Sequence, residues 1–332
     1  MITQREVAKE ANVSTATVSR YINKSGYISP KVKRRIQRAI TKLGYQPNLI
    51  ARSLKIRSTR TIGLIFPAIE NTFFISVVKS AEEIARKHNY NIILCNTENE
   101  SDKEQADMEV LKGKLVDGYI VIPTVSNTSH LYDILAGEKV VFVDRSSGRD
   151  DEVLIKLDNM LGVKLAVEHL LQLGHRNIAA INIPTNTTPG YERYEGYRTT
   201  LAAQNIPLDE HFIQFADFSL ESGYEKMKAL LASAEKPTAV VPMSILTTLG
   251  ALKAINEFGY AIPDDISLVG FDEFEYADLV HPPLTTVAQP AYEFGIKAVE
   301  TLLKLMKGKR LRQKTIILQP RLIIRKSCKR LQ

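Results

Sequence analysis

From residue 61 onward, short apolar runs alternate with longer amphipathic stretches, and that alternation limits the fold more than any other feature. IGLIF (62–66) reads as a buried strand closed by Pro67, a helical stretch covers 73–88, and NIILC (91–95) follows. A polar helix near 102–115 leads to GYIVI (118–122), and another near 129–136 precedes VVFV (140–143). Four apolar strands separated by helices predict a parallel sheet with helices on both faces. The pattern then restarts, with helices at 159–173, 192–204, 220–232 and 247–258 and strands at 177–182, 212–215, 238–241 and 266–270. Two successive sets of similar size predict two lobes, not one long sheet.

The first 57 residues follow a different pattern. Thr3 and Glu6 stand at capping-box spacing, each able to reach a free backbone donor at a helix start, and Val7, Ala8 and Ala11 give that helix one apolar face. Asn12 tolerates the left-handed backbone of a tight turn. Ser14 caps a second short helix, STATVSR (14–20), in which Val18 and Ile22 face inward. This is helix-turn-helix spacing. It sets Thr15, Ala16, Thr17 and Arg20 outward, where they reach base edges or phosphates in a major groove. Ser29 and Pro30 open a third helix whose apolar face holds Val32, Ile36, Ala39, Ile40 and Leu43, and Gly44 ends it. Its other face carries Lys31, Lys33, Arg34, Arg35 and Arg38.

Charge separates this head from the rest. Residues 1–60 hold 14 Lys/Arg against 2 Asp/Glu, a net of +12, and the other 272 residues hold 30 against 35, a net of −5. A basic head on an acidic body is the footprint of a polyanion confined to one domain, and with the helix-turn-helix it implies double-stranded DNA.

After the head comes GYQPNLIARSL (44–54). Together with the helix-turn-helix and LGHRNI (173–178), LVGFDE (268–273) and HPPLTTVAQP (281–290), it resembles the lactose-repressor (LacI/GalR) family of bacterial transcription regulators over nearly the whole chain. The resemblance implies a three-helix head (1–46), a hinge helix and linker (47–60), and a two-lobed effector-binding and dimerisation domain (61–332) of periplasmic-binding-protein-like fold with parallel sheets. The first lobe would span about 61–155 and the second about 156–286, each completed by part of the C-terminal segment. The chain would cross between lobes three times, with the helix at 291–306 returning to the first. In the head, Thr15, Ala16 and Arg20 would read bases, while Thr3, Ser14, Thr17 and Asn23 would hold phosphates. Asn48, Ala51 and Leu54 fall in the hinge, which orders on operator DNA in the family. There the Leu matching Leu54 wedges into the minor groove and kinks the duplex.

In parallel α/β sheets, ligands bind beyond the carboxyl ends of the strands, and two lobes trap them in a cleft. That rule nominates Phe73 and Phe74, Asp144 with Arg145, Thr187, Arg193, Asp217 with Phe218, Ser244 and Asp272. Carboxylates and an Arg fork suit vicinal hydroxyls, and an aromatic face suits a ring. By resemblance, Phe73 and Phe74 match effector-packing positions, and Arg193, in RYEG (193–196), matches an effector-contacting Arg. Phe218 and Asp272 fall where purine-responsive members place a Phe and an Asp, and Asp144 falls where sugar-responsive members place an Asp. Two departures bear on the effector. Ser244 and Ile245 stand where many members place Asn and Asp, and Thr187 replaces the Arg of a purine-responsive pocket. A sugar or sugar derivative is favoured, with a purine or nucleoside as the alternative.

Rival functions find little support. None of the six His lies in an HExxH pattern, there is no P-loop and no GxGxxG after a strand, so neither catalysis nor a cofactor is expected. A free-standing sugar receptor would suit the body but not the basic head. No apolar run is long enough for a membrane span and no charged-then-apolar leader opens the chain, which points to the cytoplasm. Cys95 and Cys328 lack metal-ligand spacing. The segment 326–332 is short and basic, without a leucine-heptad tail, which favours a homodimer over a tetramer.

Overall fold

The structure, a computed structural model, describes residues 2–23, 25–46, 58–126 and 128–331. The chain divides into two compact units, Met1–Thr59 and Arg60–Gln332.

In the first unit, helices α1 (Gln4–Glu10), α2 (Thr15–Ile22) and α3 (Pro30–Leu43) enclose a small core of Val7, Ala8, Ala11, Val18, Ile36, Ala39 and Tyr45. Burying Val7, Val18 and Ile36 stabilises the unit by roughly 1.5–3 kcal/mol each and the three alanines by less, so this small core suffices only with good caps. Those caps are present. The Thr3 hydroxyl accepts from Glu6 N while the Glu6 carboxylate accepts from Thr3 N at 2.7 Å. Ser14 accepts from Thr17 N at 3.2 Å, Asn12 takes the left-handed backbone (φ 49°), and Gly44 ends α3 in the same region (φ 61°). Ser29 differs from expectation. It occupies the cap position of α3 without a side-chain bond, and Pro30 at the first helical position sets the backbone for the helix start instead.

The second unit holds two six-stranded sheets. In the first lobe β1 (Thr61–Phe66), α4 (Thr72–Lys87), β2 (Asn91–Asn96), α5 (Ser101–Gly113), β3 (Gly118–Val121), α6 (Tyr132–Leu135), β4 (Val140–Val143) and β5 (Leu154–Leu157) follow in sequence. The second lobe continues with α7 (Asn159–Gln172), β6 (Ile178–Asn182), α8 (Thr188–Ala203), β7 (Ile213–Phe215), α9 (Leu220–Ala232), β8 (Ala239–Pro242), α10 (Ile245–Glu257), β9 (Ser267–Phe271) and β10 (Thr285–Ala288). The chain then returns through α11 (Ala291–Met306) and β11 (Thr315–Leu318) before ending with β12 (Arg321–Ile323). Strand order is β11-β5-β4-β3-β1-β2 in one sheet and β12-β10-β9-β8-β6-β7 in the other. All pairings are parallel except β10 with β12. The chain therefore passes between sheets after β5, after β10 and after β11.

Two regions depart from the sequence reading. The helix expected near 129–136 is a single 3₁₀ turn (Ser129–Leu131) followed by the four residues of α6. Strands β5, β10, β11 and β12 had no counterpart among the expected runs. They are three or four residues long, and Lys156, Thr285, Thr286 and Arg321 interrupt the apolar pattern that marks the others. One apolar cluster nevertheless runs from Ile62 and Phe294 in the first lobe to Tyr197 and Phe271 in the second. Burial on that scale fixes both sheets in one body.

Candidate functional site

In the head, Thr15, Ala16 and Arg20 are exposed on α2, and Thr17 is half-buried. The Ser14 and Thr17 hydroxyls lie 2.8 Å apart. Thr3 is exposed at the start of α1, its hydroxyl donating to Glu6 Oε2 at 2.8 Å, and that capping holds the Glu6 carboxyl below its usual range. Asn23 closes α2, with its amide donating to Ser19 Oγ at 3.3 Å. Asn48, Ala51 and Leu54 lie outside the described residues. Arg35 has a role that charge counting missed. Its Nη2 donates to Ala11 O at 2.5 Å and Asn12 O at 2.6 Å, clamping the α1–α2 turn to α3. Carbonyls at a helix end lack intrahelical donors, and a cation satisfies both their hydrogen bonding and the helix dipole.

Arg35→Ala removes two charge-assisted bonds, together worth about 3–6 kcal/mol. It should lower the melting temperature of the head and expose the Asn12 and Val13 amides to faster hydrogen exchange. Arg35→Lys keeps the charge but loses the fork, so it should still lower the melting point while leaving the salt dependence of DNA binding unchanged. Head stability that ignores both changes would reduce Arg35 to another surface cation.

In the second unit the nominated residues gather at the carboxyl ends of the strands. Phe73 and Phe74 open α4 after β1 and are buried. Phe73 packs edge-on to Phe74 and to Phe294 of α11, with ring centroids 5.3 Å apart in each pair. Asp144 and Arg145 follow β4 and are 4% and 2% exposed, which takes both charges out of water. Arg145 Nη1 donates to Pro123 O (2.9 Å) and Thr124 O (2.6 Å), and its guanidinium lies 4.5 Å from the centroid of the Phe218 ring and 6.0 Å from that of Phe74. The cation thus joins the first lobe to the loop after β7 in the second. Behind it, Glu104 is fully buried and accepts from Thr124 N and His130 Nε2.

Arg193 enters from α8. Its Nε donates to Asn159 Oδ1 at 2.9 Å, its Nη1 donates to Met243 O at 2.6 Å, and it sits 3.8 Å from the Phe271 centroid. Asp272 follows β9. It accepts from Gln289 Nε2 (2.5 Å) and from Ile245 N, the first amide of α10, at 3.2 Å. Burial pushes the Asp144 carboxyl up, against the pull of Arg145 and Arg193. Burial also lowers the Arg145 guanidinium to about 10, and it lowers Arg193. Asp144 and Asp272 both take left-handed backbone, at φ 65° and 75°, which turns the chain sharply at equivalent points of the two lobes.

Thr187 and Ser244 are buried, and their hydroxyls serve helix ends. Thr187 accepts from Gly190 N and donates to Pro184 O, and Ser244 forms a reciprocal box with Thr247. Phe218 is half-buried against Arg145. Asn159, Gln289 and Glu104 went unnominated by sequence. Of these only Gln289 carried a signal, as part of the 281–290 motif; the other two are linked to their partners only by the fold. A polar rim closes the cleft. Ser126 Oγ lies 2.9 Å from Thr188 Oγ1 and accepts from Thr188 N, and Ser146 N donates to Thr188 Oγ1. Asp144 Oδ1, Arg145 Nε, Asn182 Oδ1 and Gln289 Oε1 are buried without hydrogen-bond partners among the described residues.

Comparison with known proteins gives one consistent result. Residues 3–48 match the family model of bacterial regulatory proteins of the lacI family, and residues 167–328 match a periplasmic binding protein-like domain. The chain is 34% identical over 333 residues to the HTH-type transcriptional repressor PurR of Histophilus somni, covering all of both chains. It is 36% identical to the ribose operon repressor of Halalkalibacterium halodurans, covering 99% of this chain and 98% of that one. Among solved structures, a lac repressor dimer bound to operator and an anti-inducer superposes with a TM-score of 0.89 at 26% identity, covering 99% of each chain. The transcriptional regulator CelR–cellobiose complex superposes at 0.74 and 30% identity, covering 98% of this chain and 100% of that one.

Proposed function

The chain belongs to the LacI family of bacterial regulatory proteins, and on that premise we propose a cytoplasmic, homodimeric repressor of a carbohydrate-utilisation operon whose hold on DNA is set by a small effector. It is a transcriptional regulator and not an enzyme. One observation carries the proposal. A head of net charge +12 with an exposed recognition helix shares a chain with a two-lobed body whose cleft buries two carboxylates and two guanidinium groups.

In this reading two heads bind a pseudo-palindromic operator. Thr15, Ala16 and Arg20 meet bases in each half-site, and Thr3, Ser14, Thr17 and Asn23 hold phosphates. The hinge at 47–60, with Asn48, Ala51 and Leu54, links the heads to the first lobes. The effector, held among Phe73, Phe74, Asp144, Arg193, Phe218 and Asp272, resets the lobes and so favours or disfavours the DNA-bound hinge, a coupling typically worth about 1–3 kcal/mol. Exposed Leu94 on edge strand β2 and Val110 on α5 supply apolar surface for a second copy. A purine-responsive co-repressor is the second reading, supported by the PurR relatives and by the position of Phe218.

DNA fragments selected by the full chain from a random pool provide the test. Their affinity should fall linearly with the logarithm of salt concentration, with a slope set by the phosphates neutralised. Residues 61–332 alone should retain none of that affinity. Equal binding by this shortened chain would place the DNA contact outside the head and overturn the proposal.

A further inference from the structure

We infer that Glu192 is a positioning residue for the cleft: its carboxylate orients the Asn159 amide that holds Arg193, and its bond to Lys156 makes that hold depend on contact between the lobes. This rests on the reading of the cleft as the effector site and concerns how that site is regulated.

Thr188, Glu192 and Gly196 recur every four residues and so share one face of α8. That face is where the second lobe meets the first. Thr188 bonds Ser126 and Ser146 at the rim, and Ser126 N donates to Asn186 O at 2.9 Å just before the helix. One turn on, Glu192 Oε1 accepts from Lys156 Nζ of β5, the strand that pairs with β4 and β11 in the first sheet. After a further turn, a Cβ on Gly196 would lie 2.9 Å from Met160 O and 3.0 Å from Met160 Cα, so α8 and the start of α7 meet backbone to backbone. Arg193 is next to Glu192 in the chain but about 100° round the helix, which carries it to Met243 O and the Phe271 ring instead.

Glu192 uses its two oxygens differently. Oε1 takes the lysine, while Oε2 accepts from Asn159 Nδ2 at 3.1 Å. The same Nδ2 donates to Leu157 O at 3.4 Å. With the amide nitrogen engaged on that side, Oδ1 faces Arg193 and accepts from its Nε at 2.9 Å. An amide has one donor end and one acceptor end, so whichever group takes the donor end decides what the other end can hold. A donor-only group in place of Glu192 would turn the amide round and set Nδ2 against Arg193 Nε. Asn159 is fully buried, so bulk water cannot replace either partner. The backbone there is fixed as well. Asp158 caps α7 by accepting from Leu161 N at 3.0 Å, and its own N–H donates to Leu318 O of β11 at 2.9 Å. Side-chain orientation is the freedom left to Asn159, and Glu192 sets it.

The side chains of Lys156 and Glu192 are 20% and 18% exposed, so the pair is shielded yet within reach of solvent, and parting the lobes can hydrate both ends. That movement breaks the Lys156 bond and frees the carboxylate to turn to water, which loosens the Asn159 amide and Arg193 with it. Burial lowers Arg193 and raises Asp144, and the Glu192 charge acts on both, favouring the guanidinium and opposing the carboxylate. Closing the lobes and setting the arginine are one event in this arrangement. An ordinary ion pair across the lobes needs only opposite charges, whereas the positioning role also needs an acceptor on α8.

Charge reversal in the full chain separates the two. Glu192→Lys alone sets two ammonium groups together and should lower the melting temperature. Adding Lys156→Glu restores opposite charges and should recover most of that loss, yet the introduced lysine only donates and cannot accept from Asn159. NMR of the arginine Nε–H groups follows Arg193, its signal identified as the one missing from Arg193→Lys. Exchange of this Nε–H with water should be about tenfold or more faster in the charge-reversed pair than in the parent, as for a lost hydrogen bond to a charged group. Lys156→Met keeps the acceptor and removes only the charge across the lobes, so it should quicken exchange by about two- to fivefold, the size of a partly exposed ion pair. Parental exchange in the charge-reversed pair would reduce Lys156 and Glu192 to an ordinary bridge and overturn the inference, as would parental exchange in Lys156→Met. Retention on the selected DNA is read in parallel. Exchange that shifts while retention stays parental in every variant keeps the positioning role and counts against the cleft as the effector site. Parental exchange with altered retention does the reverse.

Discussion

Arg193→Ala is expected to lower the melting temperature of the two-lobed unit by roughly 5–15 °C, the shift that about 3–5 kcal/mol produces in a body of this size. The same change should remove the effector response. Arg193 does three things at once. It satisfies Met243 O, it fixes Asn159, and its charge offsets Asp144 and Asp272 in a region shielded from water. Truncation to Ala leaves two carboxylates facing one remaining guanidinium, and it leaves Asn159 Oδ1 and Met243 O without that donor. Breaking a buried charge set by removing one member costs more than the set contributes intact, because the survivors stay desolvated. Arg193→Lys separates the roles. It restores the charge but cannot span Asn159 and Met243 O together, so it should recover more of the melting temperature than of the ligand affinity. Calorimetric melting of all three proteins, with and without a bound effector, checks both halves. A melting temperature and ligand response unchanged in the Ala variant would take Arg193 out of the cleft.

What sequence made legible here was local. The Thr3–Glu6 capping box, the left-handed Asn12 and Gly44, and the apolar runs of β1, β2, β3 and β4 depend on residues a few positions apart, and the structure holds each of them. The carboxyl-end rule likewise led to Asp144, Arg193 and Asp272, which now stand as one electrostatic group. Pairings across distance were not legible. Arg35 reaches back 23 and 24 residues to the α1–α2 turn, Arg193 is held by Asn159 34 residues earlier, and Asp272 by Gln289 17 residues later. No periodicity records which side chain a folded helix will set against which carbonyl. Thr187 and Ser244 illustrate the converse. Their place after strands nominated them for ligand contact, while their hydroxyls are engaged in starting α8 and α10, a use any Ser or Thr at that position has available. Strand β5 escaped notice because Lys156 breaks its apolar run, and that lysine is bound to Glu192 from the second lobe.

The same tertiary logic makes one glycine decisive. Gly295→Ala should destabilise the second unit by about 2 kcal/mol or more, although alanine favours a helix over glycine by about 1 kcal/mol. A Cβ at this position would lie 2.1 Å from Ser80 Oγ, 2.2 Å from Val77 O and 2.7 Å from Ala81 N. Two of those atoms are α4 backbone, which cannot swing aside as a long side chain would. Helix α11 would have to lift from α4, disturbing Phe294, Ala298, Val299 and Leu302, all fully buried in the core of the first lobe. Since α11 is the segment that returns from the second lobe, the lift also displaces the chain just after Gln289, which holds Asp272 in the cleft. Ligand affinity should therefore fall along with stability. Gly113→Ala at the end of α5 is the matched control. There nothing lies within 4 Å of the added methyl, and the substitution should raise stability by about 0.4–1 kcal/mol. Thermal melting of the two variants should thus move in opposite directions for an identical chemical change. Were Gly295→Ala to melt at or above the parent temperature, the spacing of α11 and α4 would not be what fixes the returning segment. The coupling of that segment to the cleft would then have to run through β11 and β5 instead.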